Sequence, residues 1–219
     1  MIFDKCDWLV NPYNSINFNN LPHGIIINGP RGVGKKLLAK KISEKIISNF
    51  QESLNNDHQN LFDKNNHPDL YLLDKDKYLL KDIRRQKKDS KNWDEEKGFN
   101  DVVSFLTLTP SISKNKVVCM INADTMNNIA QNALLKSLEE PAPFSYIIMT
   151  TSRSKALNQT IYSRCQVINI PFLSSSKVND WLQDNGINDL RDDLYDVTSI
   201  NETHVLNYFF SELKLSVKQ

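Results

Sequence analysis

The stretch Gly29-Pro30-Arg31-Gly32-Val33-Gly34-Lys35-Lys36 carries the residue types that hold phosphate. Gly29, Gly32 and Gly34 let the backbone turn tightly and aim successive N–H groups inward, toward a helix N-terminus. Lys35 is placed to reach terminal phosphates, and Arg31 belongs to the same candidate set. The next residue should be Ser or Thr, whose hydroxyl holds magnesium. Here it is Lys36, and an ammonium cannot ligate a cation. A glycine turn opening a helix with no ligand at all is the plainer alternative.

A second place to look is the apolar run 117–121. Where a phosphate loop cleaves nucleotide, such a strand should end in two carboxylates, one ordering magnesium and one polarising the attacking water. This chain has Ile121 and Asn122 there, with Asp124 two residues further on. Three groups needed for hydrolysis are therefore missing together: the hydroxyl at position 36 and both carboxylates. Hydrolysis of ATP by this chain alone is not expected. Passive ATP or ADP binding remains permitted by Lys35 and the backbone donors. No metal site is expected either. His58, His67, Asp57 and Asp63 match no ligand spacing, and Cys6, Cys119 and Cys165 form no CxxC pair.

The elements that must position these groups can be read from patterning. Ile25–Ile27 is a β-branched run suited to a central strand, and a helix continues past Lys36 through Leu38, Ile42 and Ile46. Residues 70–73, 117–121, 145–151 and 166–170 read as further strands. Asn127 or Asn128 caps a helix carrying Ile129, Ala133, Leu134, Leu135 and Leu138 on one side, and Pro141 stops it. Residues 101–108 form another helix, broken at Pro110. Trp8, Leu9 and Val10 anchor the lead-in, while 11–20 reads as a turn-rich loop and 49–66 as a solvated polar excursion. Residues 78–88 read as a basic helix, with Leu79, Leu80 and Ile83 inward and Arg84, Arg85, Lys87 and Lys88 on a solvated face. Pro171 marks a boundary between a core, 1–171, and a small helical module, 172–219, with helices at 174–184, 189–196 and 202–213.

Composition removes several classes. Lys+Arg 27 against Asp+Glu 26 leaves a formal charge of +1, so no global basic field draws nucleic acid. No apolar run reaches the roughly 18–20 residues needed to span a membrane. The N-terminus lacks a signal-peptide layout, and a reducing cytoplasmic setting is the default.

With these residues laid out, the chain resembles bacterial clamp-loader subunits of the AAA+ class, closest to those of the delta-prime type in the DNA polymerase III holoenzyme. The ordered set that carries the resemblance is LPHGIIINGPRGVGKK, HPDLYLL, KVVCMINAD, AQNALLKSLEEP and TIYSRC. It covers about residues 20–172. The resemblance implies a three-layer α/β/α phosphate-loop fold with a mainly parallel sheet, followed by a helical lid. It implies a ring-like loader that places a sliding clamp on primed DNA, with gamma/tau-type motor subunits and a delta subunit as partners. The delta-prime type is its stationary member, with a degraded nucleotide site and no turnover of its own. The arginine of its SRC triplet enters a neighbouring motor subunit's ATP site, which carries over to Arg164 between Ser163 and Cys165.

The resemblance places its sensor-1 polar residue at Thr150 or Thr151, where ordinary strand-end hydrogen bonding is an equal contender. Arg153 reads as a surface charge, and Glu139 and Glu140 are shared with the family without an assignable role. The family's four-cysteine zinc module has no counterpart in 49–69, so zinc is not expected. No lid arginine can be named in the TSINET stretch at 198–203. A third, collar domain is expected to be absent, the sequence ending at Gln219 as a piece of a longer protein or a shortened one. Two other readings stay open. An independent or motor-type ATPase with an atypical metal site would show magnesium-dependent turnover abolished by Lys35→Ala. A nucleic-acid binder built on 81–88 would bind DNA with steep salt dependence and no partner.

Overall fold

The computed structural model describes residues 3–51, 54–84 and 101–184. Strands β1 (Gly24–Asn28), β2 (Leu70–Asp74), β3 (Lys116–Ile121), β4 (Ser145–Thr151) and β5 (Cys165–Asn169) form one sheet in the order β2-β3-β4-β1-β5. Every pairing is parallel. Parallel neighbours need crossovers, and helices supply them. Helices α2 (Lys35–Ile47) and α3 (Asn56–Asp63) lie between β1 and β2, with α4 (Leu80–Ile83) and α5 (Val102–Thr107) between β2 and β3. Next come α6 (Asn128–Glu139) before β4 and α7 (Gln159–Tyr162) before β5. Helix α1 (Asp7–Asn14) precedes the sheet and α8 (Ser175–Asp184) follows it.

The period-two alternation of the strands divides the core into two layers. Ile25, Ile27, Val117, Cys119, Ile121 and Ile148 face a cluster that includes Leu9 of α1 and Leu38, Ile42 and Ile46 of α2. Ile26, Val118, Met120, Ile147 and Met149 face Ile83, Phe105, Ala130, Leu134 and Ile161 on the other side. Both faces are covered, which is why these strands read as continuous apolar runs. Burying each such side chain stabilises by about 1.5–3 kcal/mol.

Several expectations change. The stretch expected to be a loop from residue 11 begins inside α1, because Leu9 is fully buried and Pro12 falls in the last turn. The polar excursion contains α3, capped by Asn55, whose side chain accepts the His58 N–H at 2.9 Å. The basic helix is cut short: α4 ends at Ile83, Arg84 is extended, and Leu79 lies exposed while Tyr78 is buried. Arg85, Lys87 and Lys88 lie outside the described residues, as do the helices expected at 189–196 and 202–213. Asn127 is the cap of α6, accepting from the Ala130 N–H at 2.8 Å. The buried stripe there is Ala130, Gln131, Leu134 and Leu138, leaving Ile129 63% exposed. Leu134 and Leu138 are buried as expected, with Ala133 and Leu135 half-buried against the same layer, and the addition is Gln131. Its amide donates to the Met126 carbonyl and accepts the Asn158 N–H, fastening α6 to the segment before α7.

At the amino edge of β2, the buried Asp69 carboxylate accepts the N–H groups of Ser111, Ile112 and Ser113 at 2.5, 3.0 and 2.8 Å. The lead into β3 is thereby folded around one anion. Asp69→Ala leaves those donors unpaired and should lower stability by about 2–3 kcal/mol, read as a shifted urea midpoint. A midpoint unchanged from wild type would contradict this account of the loop.

Candidate functional site

The phosphate loop bridges the carboxyl end of β1 and the start of α2. Gly32 and Gly34 have φ of 77° and 94°, so both occupy the left-handed region that glycine tolerates. A Cβ on Gly34 would stand 2.9 Å from Leu9 Cδ1. The Gly29 N–H donates to the Thr151 carbonyl at 3.2 Å, tying the loop's first residue to β4. The Trp8 indole donates to the Val33 carbonyl at 3.1 Å, so α1 is seated directly on the loop. Arg31 is exposed at its tip.

Lys35 does not extend toward solvent. Only 7% exposed, it turns its ammonium back onto the loop and donates to the Gly29 carbonyl at 2.8 Å and to that of Pro30. Burial pushes its pKa down to about 8, against the opposing field of Asp124 and with that of Arg31. Lys36 reaches sideways, its ammonium 2.5 Å from Asp74 Oδ2 at the tip of β2.

The neighbouring strand ends complete the edge. Ile121 is buried, and the Tyr78 hydroxyl lies 2.7 Å from its carbonyl and 2.8 Å from that of Leu73. Asn122 turns through a left-handed φ of 57° and donates its N–H to Thr150 Oγ1 at 3.0 Å. Thr151 is fully buried and donates to the Asn28 side chain at 3.1 Å, while Asn28 donates on to Asn169 at 3.0 Å. Strand-end hydrogen bonding is thus what both threonines do here. Asn28 and Asn169 went unnoticed in the sequence; the signal was an amide immediately before Gly29. Arg153 is more than a surface charge. Its Nε lies 3.1 Å from Asp124 Oδ2, and a terminal nitrogen donates to the Asp124 carbonyl, so the buried Asp124 carboxylate is clamped.

The magnesium ion that a phosphate loop of this class implies does not fit these side chains. Position 36 offers an ammonium, Ile121 offers no donor, and Asp124 is held by Arg153. Among the described residues no group of three or more His, Cys, Asp or Glu could hold a metal.

Arg164 stands at the other edge of the sheet. Cys165 pairs with Gly24 at the amino ends of β5 and β1, whereas the phosphate loop follows Asn28 at the carboxyl end. The guanidinium donates to the Thr160 carbonyl at 2.8 Å and to Ser163 Oγ at 3.3 Å. Its other terminal nitrogen pairs with Glu139 Oε1 at 2.7 Å, both side chains being at the surface, with that of Arg164 34% exposed. Glu139, left without a role above, is therefore the partner of Arg164. Cys165 belongs to the packing: its Sγ would stand 2.6 Å from a Cβ on Gly24, and burial pushes the thiol up to about 12.

The family described as "DNA polymerase III, delta subunit" matches residues 10–174. The chain belongs to this family. Over 164 residues it is 30% identical to "DNA polymerase III subunit delta'" of Haemophilus influenzae, covering 74% of this chain and 46% of that protein. The Bacillus subtilis protein of the same name is 28% identical over 175 residues, 78% of this chain and 48% of its own length. "DNA polymerase III subunit gamma/tau" of Mycoplasma genitalium is 32% identical over 174 residues, 78% of this chain and 27% of that protein. The chain spans about half the length of the delta-prime relatives it matches. Its parallel sheet with covered faces and a loop after β1 is the phosphate-loop AAA+ α/β fold.

In this delta-prime family member α1 packs directly on the loop, with Trp8 on the Val33 carbonyl and Leu9 beside Gly34. Gly34→Ala forces an L residue to φ 94° and drives a methyl toward Leu9. It should lower stability by about 1–2 kcal/mol in denaturant unfolding. In a double-mutant cycle with Leu9→Ala, which alone costs about 2–5 kcal/mol at this fully buried position, the coupling should recover only the contact share. A neutral Gly34→Ala would mean the loop is not in this conformation.

Proposed function

We propose that the chain acts as a non-hydrolysing, delta-prime-like clamp-loader subunit of the DNA polymerase III holoenzyme. In this reading Arg164 serves the ATP site of a neighbouring gamma/tau-type subunit while a sliding clamp is loaded on primed DNA. A delta subunit is a further partner, and the setting is cytoplasmic. The observation that carries the reading is the position of Arg164 at the amino edge of the sheet, while the chain's own phosphate loop lies at the carboxyl edge. The length of β1, about 13–17 Å, separates the two. Arg164 cannot turn to its own loop, and at the surface it is available to another molecule.

The guanidinium presents planar donors suited to the charge that builds on a transferring phosphoryl group. Glu139 is its resting partner, and an exposed pair of this kind holds it weakly, by about 0–1 kcal/mol. A neighbour's triphosphate would outcompete one carboxylate. The chain's own turnover is disfavoured by Lys36, Ile121 and the clamped Asp124. Similarity to a gamma/tau protein keeps the motor-type alternative in view, but the same three positions weigh against it.

The test is ATP turnover in an assembly reconstituted from the full-length protein with gamma/tau-type and delta subunits, clamp and primed DNA. Arg164→Ala should remove about 10³–10⁵-fold of the rate at the site it serves, so total turnover falls by that site's share. Arg164→Lys should recover little, since an ammonium lacks the planar fork. The isolated chain should show negligible turnover with or without the substitution. Full activity of the Arg164→Ala assembly would reject the role.

A further inference from the structure

We propose that the open edge of β5, with the groove between α1 and α8 beside it, takes up an extended, positively charged peptide segment of a partner protein. The segment adds a further strand to the sheet. Neither the Arg164 guanidinium nor a side chain of the glycine loop takes part.

β5 stands last in the sheet order and pairs with β1 alone. In a parallel ladder each residue turns its N–H and carbonyl to one side, and successive residues alternate. The Ile170 N–H donates to the Asn28 carbonyl at 2.7 Å, so Gln166 and Ile168 share its direction toward β1. Val167 and Asn169 therefore turn both backbone groups outward, where no described residue receives them. Edge strands are usually blunted by a charged side chain, a proline or a bulge. The sequence of β5, Cys165-Gln166-Val167-Ile168-Asn169, has no charge and no proline, and its register against β1 is unbroken. Val167 is 38% exposed. The edge is thus long enough and plain enough to template another strand.

A groove of about 630 Å³ lies along this edge, walled by α1 and α8. Trp8 and Trp181 line it, meeting edge to face at 5.5 Å. Their indole N–H groups are taken by the Val33 and Lys5 carbonyls, so they offer the groove apolar surface rather than donors. The charged lining is Asp7 from α1 and Lys177, Asp180 and Asp184 from α8. Three carboxylates against one ammonium make the groove acidic. Asp74, Asp124 and Glu139 each have a cation within the chain, whereas no described residue pairs with these three aspartates. Asp180 and Asp184 stand one helical turn apart and repel each other, which an incoming cation relieves. A Lys or Arg of the added strand lays its apolar stem on the tryptophans and its charge among the carboxylates. Backbone pairing supplies the affinity, and the acidic, apolar groove selects the side chains. A nucleotide or nucleic acid would bring phosphate against like charge.

The experiment is NMR titration of the full chain with the end-blocked peptide KVKVK and, separately, with its charge-reversed counterpart EVEVE. KVKVK should shift the Val167 and Asn169 amide signals and slow their hydrogen exchange, and EVEVE should do neither. Asp180→Asn combined with Asp184→Asn, at exposed positions that leave the fold intact, should weaken KVKVK binding about fivefold. Two further peptides test the backbone pairing, one N-methylated at its valines and one at its lysines. Only one of these two sets can face β5, and its methylation should weaken binding about tenfold or more. The proposal is overturned if KVKVK leaves both amides unmoved, if EVEVE binds as well, or if the double variant binds like the native chain. It is equally overturned if both methylated peptides bind like the parent. Amides already protected without peptide also overturn it. Protection at every concentration would mean that the chain covers its own edge, and protection only at high concentration that a second copy does.

Discussion

Because the five strands are parallel, their carboxyl ends share one edge of the sheet and their amino ends the other. The phosphate loop, Asp74, Ile121, Thr151 and Asn169 are drawn together by that polarity, although they are far apart in the chain. The same polarity sends Arg164 and Glu139 to the opposite edge. One backbone constraint thus creates two chemically distinct surfaces. A parallel sheet can do this only with both faces covered, and the two apolar layers on either side of β1, β3 and β4 meet that demand.

At the carboxyl edge, charge is balanced within the chain. Lys35 is received by loop carbonyls, Lys36 by Asp74, and Asp124 by Arg153. Each charged group at low exposure needs such a partner, since desolvation without one is costly. The charged side chains around the loop are thus engaged with one another or with loop carbonyls. The threonine and asparagine chain from Thr151 through Asn28 to Asn169 satisfies the strand ends beneath it.

The amino edge is organised differently. Gly24 lets β1 approach the Cys165 thiol closely, and this contact fixes where β5 begins. Ser163 bonds back to Thr160 and also meets the Arg164 guanidinium. Ser163 and Cys165 thus act on the arginine's placement from either side. Glu139 arrives at the same corner because α6 runs back along the sheet from its carboxyl edge to its amino edge.

Local pattern made the strands legible, since buried β-branched runs have few alternatives. It also exposed the glycine loop and the missing carboxylates, because those depend on residue identity at fixed spacing. The lead-in helix was misread because Pro12 and asparagines are strong turn signals when Leu9's burial is unknown. Four of the five residues expected on the inner side of α6 pack there, Leu134 and Leu138 buried and Ala133 and Leu135 half-buried, while Ile129 is exposed. The buried Gln131 looks polar until its partners Met126, Ala156 and Asn158 are in place. The sequence by itself determined which side chains stand in the glycine loop and at the tip of β3, Lys36, Ile121 and Asn122 among them, since a side chain that is absent cannot be supplied by folding. Only the tertiary structure decided which charges neutralise one another, and that Arg164 faces away from its own loop. Those facts depend on crossovers joining residues tens of positions apart, and no local pattern encodes them.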